Sequence, residues 1–519
     1  MAVTGTWPSQ APYPKHHFSQ LFEETARRLP DKPALIDFDE TPYTFGMLWQ
    51  AARRAARFLQ DEANVVKGET VAIYAPNSPH YAVALHGALL AGAKVTTLNP
   101  LYREREVEHQ LDDAEAVVVF TAKPILPTVE AVRQHLPKLR KLYQIEDVFG
   151  LVESRTREPD PVEIDPERDI AVLPYSSGTT GLPKGVMLSH YNLTSNIRQM
   201  RATGMVGEHA ALIAFLPFYH IYGLMVLLNA TLAQGATCLV MPRFDPDKTL
   251  YLIEKYRVTD FFVVPPALLA LSHHPKLDQH DLSSLRFILS GAAPLPAEVA
   301  ELAAQRFGCA MIKGYGMTET SPLTNTNPLD APKEGSVGPA VADTLEKVVH
   351  QETGEPLPEG EVGELLISGP QVMQGYWKNP DATAETIRPD GWLRSGDIAR
   401  MDADGYVYIV DRAKEMIKYK GYQVAPAELE SLVMEHPAVL DAAVIPKQDF
   451  EAGEVPKAFI VLKPDTQASR DELMSFVAER VAPYKKLREL EFVQSIPKTL
   501  SGKILRRELI EQERAKGKG

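Results

Sequence analysis

The chain has 519 residues, 45% of them hydrophobic, more than one ordinary core accommodates, so two or more globular domains are expected. Its formal charge of −13 disfavours a nucleic-acid backbone as the main partner, because such binders usually present a basic face. Two cysteines, Cys238 and Cys309, cannot build a disulfide framework or a four-ligand zinc site, and they fit a reducing cytoplasm.

The first seventeen residues lack the basic start and apolar core of a secretion signal, and nowhere do eighteen apolar residues run uninterrupted. Neither export nor a membrane span is therefore expected. Apolar positions recur at helical spacing over 46–62 and 80–92, and short β-rich runs at 70–74 and 116–120 alternate with them. Such alternation predicts an α/β fold of parallel sheets covered by helices. Next comes Tyr-Ser-Ser-Gly-Thr-Thr-Gly-Leu-Pro-Lys-Gly at 175–185, with four Ser/Thr hydroxyls, three glycines and one lysine in eleven residues. Glycines let the backbone turn its N–H groups inward, hydroxyls donate further hydrogen bonds and the lysine is a mobile point charge, so the run is suited to a polyphosphate. It is not a Walker loop, which needs Gly before the lysine and Ser or Thr after it; Pro183 and Gly185 stand there.

A second round of buried strands is predicted at 211–215, 237–241, 260–264 and 286–289, each with Pro, Gly or Asp close behind. Open α/β sheets bind ligands at the C-terminal ends of such strands. From 360 to 410 the texture changes to short strands and Gly/Asp turns, a small β-rich unit. A helix at 426–435, strands at 442–445 and 458–462 and a helix at 470–481 then predict a compact α+β unit. The expected division is 1–411 for a large domain of layered αβ subdomains, with its β-rich part over about 345–411, and 412–519 for a small α+β domain.

Seven motifs lie in one order along this plan: the 175–185 run, Phe-Leu-Pro-Phe-Tyr-His-Ile-Tyr-Gly at 215–223, Ser-Gly-Ala-Ala-Pro at 290–294, Gly-Tyr-Gly-Met-Thr-Glu-Thr at 314–320, Gly-Trp-Leu-Arg-Ser-Gly-Asp at 391–397, the 411–423 segment from Asp411 to Gln423, and Pro-Lys-Thr-Leu-Ser-Gly-Lys at 497–503. Together they resemble the adenylate-forming superfamily, which includes acyl-CoA synthetases, 4-coumarate-type ligases, firefly luciferase and peptide-synthetase adenylation domains.

The resemblance implies attack of a carboxylate on the α-phosphate of ATP, then transfer of the acyl group to CoA. The first step depends on positioning and charge neutralisation. By the same resemblance Ser176, Ser177, Gly178, Thr179, Thr180 and Lys184 hold the β- and γ-phosphates, Thr318 bonds the α-phosphate, and Glu319 with Thr179 holds Mg²⁺. Gly291, Ala292, Ala293, Gly314, Tyr315, Gly316 and Met317 surround the adenine and α-phosphate, Asp397 accepts from the ribose and Arg412 contributes from the domain junction. Lys503 bridges the acyl carboxylate and the α-phosphate. Lys418 and Gln423 serve the second step, Lys420 and Gly421 line the CoA tunnel, and a mobile small domain turns about Lys414 between the two steps. Lys313, before Gly314, departs from the neutral or acidic polar residue that many relatives carry there. Taken alone, Glu319 reads as a surface carboxylate, Asp397 as a turn residue and His220 as a satisfied core histidine.

The acyl pocket is expected from the 218–225 segment, including His220, Tyr222 and Gly223, and from Leu289, Gly314, Gly316 and Leu323. Leu224, Met225 and Leu289 offer no partner for a phenol or an amine, which favours a medium- or long-chain fatty acid over an aryl acid such as 4-coumarate. A fatty substrate leaves peripheral membrane contact open. A luciferase-like oxygenase and a stand-alone adenylation enzyme remain alternatives. The chain runs only sixteen residues past Lys503, so no carrier domain is expected after it. A monomer or homodimer is expected.

Overall fold

The structure, a computed structural model, describes residues 3–4, 6–176, 183–413, 415–419, 422–449, 452–481, 483–499 and 502–516. Its largest sheet runs in the order Gly375–Tyr376, Lys184–Ser189, Ile170–Val172, Lys94–Leu98, Thr70–Tyr74, Ala116–Thr121, Lys141–Gln144, with Tyr175–Ser176 paired to Lys184–Ser189. From Ile170–Val172 to Lys141–Gln144 the neighbours are parallel. Strands Thr70–Tyr74 and Ala116–Thr121 are buried at every position, as continuous apolar runs in a two-sided parallel sheet should be. The helices expected beside them are Phe45–Glu62, whose first turn is capped by Thr44 accepting from the Met47 N–H, and Pro79–Leu90, with proline in its first turn.

Two four-stranded sheets follow. One joins Ala211–Ala214, Thr237–Val240 and Pro33–Ile36 in parallel and ends in antiparallel Pro42–Thr44. The other joins Asp260–Val263, Phe287–Ser290 and Ala310–Gly316 in parallel, then antiparallel Leu323–Thr326. The 290–294 and 314–320 motifs therefore leave adjacent strands at the same edge.

The β-rich part is an antiparallel sheet of Val3–Thr4, Leu345–Val349, Gly363–Ser368, Leu393–Met401 and Val407–Arg412. Arg412 pairs with Asp397 in it, so the large domain keeps one residue more than the expected boundary at 411 allowed. The small domain has its own sheet, Tyr422–Val424, Ile417–Tyr419, Gly453–Leu462, Val439–Asp449, with Glu489–Phe492 parallel to Gly453–Leu462. Side chains alternate across it: Ala442, Val444, Ala458 and Ile460 pack with helices Pro426–Met434 and Arg470–Ala478, while Ala443, Ile445, Phe459 and Val461 pack with Arg506–Lys516. The predicted 470–481 helix thus stops three residues early. Arg506 ties this domain to the segment that enters it, donating to both carboxylate oxygens of Glu430 at 2.7 Å and to Glu415 at 2.6 Å. Among the described residues no helix is long and apolar enough to cross a membrane.

The entry of the chain into the large domain rests on neutral imidazoles. His17 Nδ1 accepts the Ser19 N–H at 3.1 Å, its Nε2 bonds the Leu89 carbonyl, and His190 Nδ1 accepts the Phe18 N–H at 3.1 Å. His86 bonds the Ser19 hydroxyl at 2.9 Å. Burial lowers all three histidines, His86 to about 3. As pH falls below the ordinary histidine value of about 6.5, the unfolded chain takes up protons that the folded chain refuses, so stability falls. For the fully buried His86 and His190 the expected loss between about pH 7.5 and about pH 5.5 is on the order of 2 kcal/mol. Urea unfolding at the two pH values measures it, and His190→Gln should lessen the slope.

Candidate active site

The strand pairing that sets Lys184 opposite Ser176 fixes the two ends of the phosphate-binding run. Its tip, with Ser177, Gly178, Thr179 and Thr180, lies outside the described residues. Beside it stands Glu319, buried in the short helix Thr318–Thr320 that follows strand Ala310–Gly316. Glu319 Oε1 accepts from Ser176 Oγ at 3.1 Å and from the Tyr376 hydroxyl at 2.9 Å. Lys184 Nζ lies 4.8 Å from the centre of the Tyr376 ring. Thr318 is half-buried next to Glu319.

The second cluster gathers at the junction with the small domain. Tyr315 donates to Asp397 Oδ2 at 2.5 Å, and Arg412 Nε lies 3.8 Å from Asp397 Oδ1. Burial raises the Asp397 carboxyl, against the pull of Arg412 and the Tyr315 hydrogen bond. Gly291 to Ala293 follow strand Phe287–Ser290; Ala292 is exposed and has φ 68°, a left-handed conformation of the kind stored where a ligand is received. Lys313 turns aside to the Leu295 carbonyl at 3.1 Å.

Lys503 reaches this cluster from the small domain. Gly502 has φ 80° and lies so close to the large domain that a Cβ would stand 2.7 Å from Cδ of Pro266, at the start of helix Pro265–Ser272. The lysine backbone is fixed by Thr499, whose Oγ1 accepts from the Lys503 N–H at 3.1 Å. Burial, followed by the charge of Arg412, lowers the Lys503 ammonium to about 8, while Glu415 and Asp397 oppose the shift. His220 is lowered to about 4 by burial, with Lys503 adding to the effect. Its Nδ1 accepts the Tyr222 N–H at 3.2 Å, so the neutral ring carries its proton on Nε2.

An apolar cavity of about 20 Å³ is lined by Met200, Met205, Val206, Tyr222, Val226, Phe262, Leu289 and Leu323. Tyr222, Leu289 and Leu323 are among the residues expected to line a pocket; Val226 lies just past the 215–223 motif in the segment Gly223–Asn229, and Met200, Met205, Val206 and Phe262 come from segments without a motif. Two expected lining residues serve packing instead. A Cβ on Gly223 would stand 2.3 Å from the Pro217 carbonyl oxygen, and one on Gly316 would stand 2.1 Å from that of Pro322, so both glycines are required by backbone contact. Leu224 and Met225 are fully buried away from the cavity. Gly314 abuts Leu289, where a Cβ would come within 3.3 Å of its side chain.

The second set of expected residues is elsewhere. Lys418 is exposed on the hairpin Ile417–Tyr419 and Tyr422–Val424, its N–H bonded to Glu454 at 2.9 Å and its backbone paired with Gln423. Lys414, Lys420 and Gly421 lie outside the described residues, as does the side chain of Gln423. Tyr376 escaped sequence reasoning; the visible signal was the Gly-Tyr-Trp at 375–377.

The AMP-binding enzyme family matches residues 22–377, and its C-terminal domain matches 428–503. The chain belongs to the AMP-binding enzyme family. It is 38% identical to a long-chain-fatty-acid–CoA ligase of Bacillus subtilis, over 98% of this chain and 96% of that one. It is 40% identical to a 4-coumarate–CoA ligase of Pinus taeda, over 95% and 94%. ATP-bound MatB from Rhodopseudomonas palustris superposes with a TM-score of 0.89 at 29% identity, covering 96% of this chain and 99% of that one. This AMP-binding enzyme is an AMP-forming acid–CoA ligase.

An ammonium that titrates at about 8 is charged below that pH and neutral above it. If Lys503 neutralises charge in adenylate formation, kcat/KM for ATP, which reports the free enzyme, declines above about pH 8. ATP–pyrophosphate exchange against pH measures this, and Lys503→Arg should retain activity at alkaline pH relative to its own maximum.

Proposed function

We propose that this ligase activates a medium- or long-chain fatty acid, forming the acyl-adenylate and then the CoA thioester with release of pyrophosphate and AMP. The observation that supports the choice of acid is the cavity wall: apart from Tyr222 it is made of aliphatic, thioether and phenyl groups, the kind that bury alkyl surface, and at about 20 Å³ it must open by side-chain movement before a chain enters. Asp397 and Tyr315 would receive the ribose, Thr318 the α-phosphate, and Ser176 and Lys184 the outer phosphates. Lys503 would neutralise the charge shared by the acyl carboxylate and α-phosphate, and His220 would donate from Nε2 at the carboxylate end of the acyl pocket.

Glu319 fits Mg²⁺. One carboxylate oxygen is held by two hydroxyls while Oε2 accepts no hydrogen bond among the described residues. No group of three or more His, Cys, Asp or Glu gathers there among the described residues, and Mg²⁺ commonly uses one or two carboxylates together with substrate phosphates. Bound there, the ion would neutralise the departing pyrophosphate. A cytoplasmic location is proposed on the two unpaired cysteines.

One observation favours an aryl acid as the second reading. The Tyr222 hydroxyl is buried without a hydrogen-bond partner among the described residues, and a phenolic substrate would supply one. A panel of acids assayed for AMP release separates the readings. Fatty acids should lead, and Val226→Phe should raise KM for the longer acids by about tenfold with KM for ATP unchanged. Tyr222→Phe should leave fatty-acid activity within about threefold; a drop of about a hundredfold confined to hydroxylated aryl acids would favour the second reading.

The two lysine-bearing faces of the small domain imply that it turns between the steps. The turning point we propose, Lys414, is flanked by Arg412, paired with Asp397 of the large domain, and by Glu415, held by Arg506 of the small one. Lys414→Pro, which restricts φ, should spare acyl-adenylate formation and abolish thioester formation. Equal loss in both assays would remove the hinge from this residue.

A further inference from the structure

We propose that Tyr376 is a positioning residue for adenylate formation, holding Glu319 through its hydroxyl and Lys184 through its ring face; the proposal rests on the ligase reading above. Glu319 and Lys184 are 135 positions apart in sequence, and both must meet the same polyphosphate. One strap, 373–377, connects them. At one end the Met373 N–H bonds the Glu319 carbonyl at 2.8 Å. At the other, Gln374 and Trp377 donate to Met187 and Gly185 on the strand that begins with Lys184, at 2.9 and 2.8 Å.

Tyr376 sits between these anchors, paired with Val186 and 8% exposed. Its own N–H is tied to Thr383 Oγ1 at 2.9 Å, and Gly375, at φ 141°, lets the strap pass close to the Thr383 side chain. The backbone therefore leaves the ring little freedom. Ring burial alone would make Tyr376 a packing residue, but its hydroxyl finds its acceptor on Glu319 Oε1, leaving Oε2 to a cation. The ring's π face meanwhile lies 4.8 Å from the Lys184 ammonium, within the range of cation–π attraction. One side chain thus contacts both a negative and a positive group, Glu319 and Lys184.

Tyr376→Phe keeps the ring and removes the hydroxyl; Tyr376→Leu removes both. With Mn²⁺ as the probe, binding to the enzyme with ATP present can be followed by electron paramagnetic resonance. In Tyr376→Phe the Mn²⁺ affinity should weaken about tenfold, the size expected for one hydrogen bond to a charged group. In Tyr376→Leu the dissociation constant of ATP measured without metal should rise by a further severalfold through Lys184, while in Tyr376→Phe it should stay near wild type. Melting temperature and KM for the acid should hardly change in Tyr376→Phe. Wild-type Mn²⁺ affinity in Tyr376→Phe, or a uniform loss of metal, ATP and acid binding together with a lowered melting temperature, overturns the positioning role. Wild-type protein without ATP–pyrophosphate exchange would instead sink the ligase reading itself.

Discussion

An ammonium drawn out of water at a domain junction is stable only beside carboxylates. Lys503 is given two, Asp397 from the large domain and Glu415 from the small one. Gly502, next to it, lies close against Pro266 of the large domain, and Arg412 shares the same carboxylates. Everything else that the site does assumes this seating. Asp397, the acceptor proposed for the ribose, is one of the two, the neutral state of His220 is reinforced by Lys503, and the side chain of Lys418 is exposed. The junction around Lys503 is thus an electrostatic balance, compatible with the turning proposed for the small domain.

The phosphate side is built by the opposite means. There the partners all belong to the large domain, and rigidity comes from backbone. The pairing of Lys184 with Ser176, the close approach of Gly316 to Pro322 and the strap at 373–377 hold their side chains before any ligand arrives. One half of the charge proposed to act on ATP thus belongs to the large domain, and the other half, Lys503, to the small one.

Much of this was legible from residue order, for identifiable reasons. Strands such as Thr70–Tyr74 and Ala116–Thr121 are buried on both faces, so their apolar runs needed no knowledge of neighbours. Motifs at strand ends marked Glu319, Asp397 and Lys503 because their chemistry is carried in a few consecutive residues. The acyl wall was only partly legible. Met200, Met205 and Phe262 lie in segments whose pattern says core, and nothing in a pattern says which core residue borders a void. Gly223 and Gly316 stand beside pocket residues, but their requirement is backbone contact, which is invisible without coordinates. Tyr376 was missed because a two-residue strand has no periodicity, and the boundary fell one residue short of Arg412 because sheet pairing, not composition, decides where that residue belongs.

The small domain fills both faces of its sheet from its own residues, and Arg506 fastens its entering segment to its interior. It therefore has the makings of an exchangeable cassette. Recombination between relatives at the seam after Arg412 would transplant Lys503 and Lys418 together, with their spacing intact, while every described residue bordering the acyl cavity stays with the recipient. Substrate preference and catalytic cycling can then diverge independently, each inherited through its own stretch of the gene.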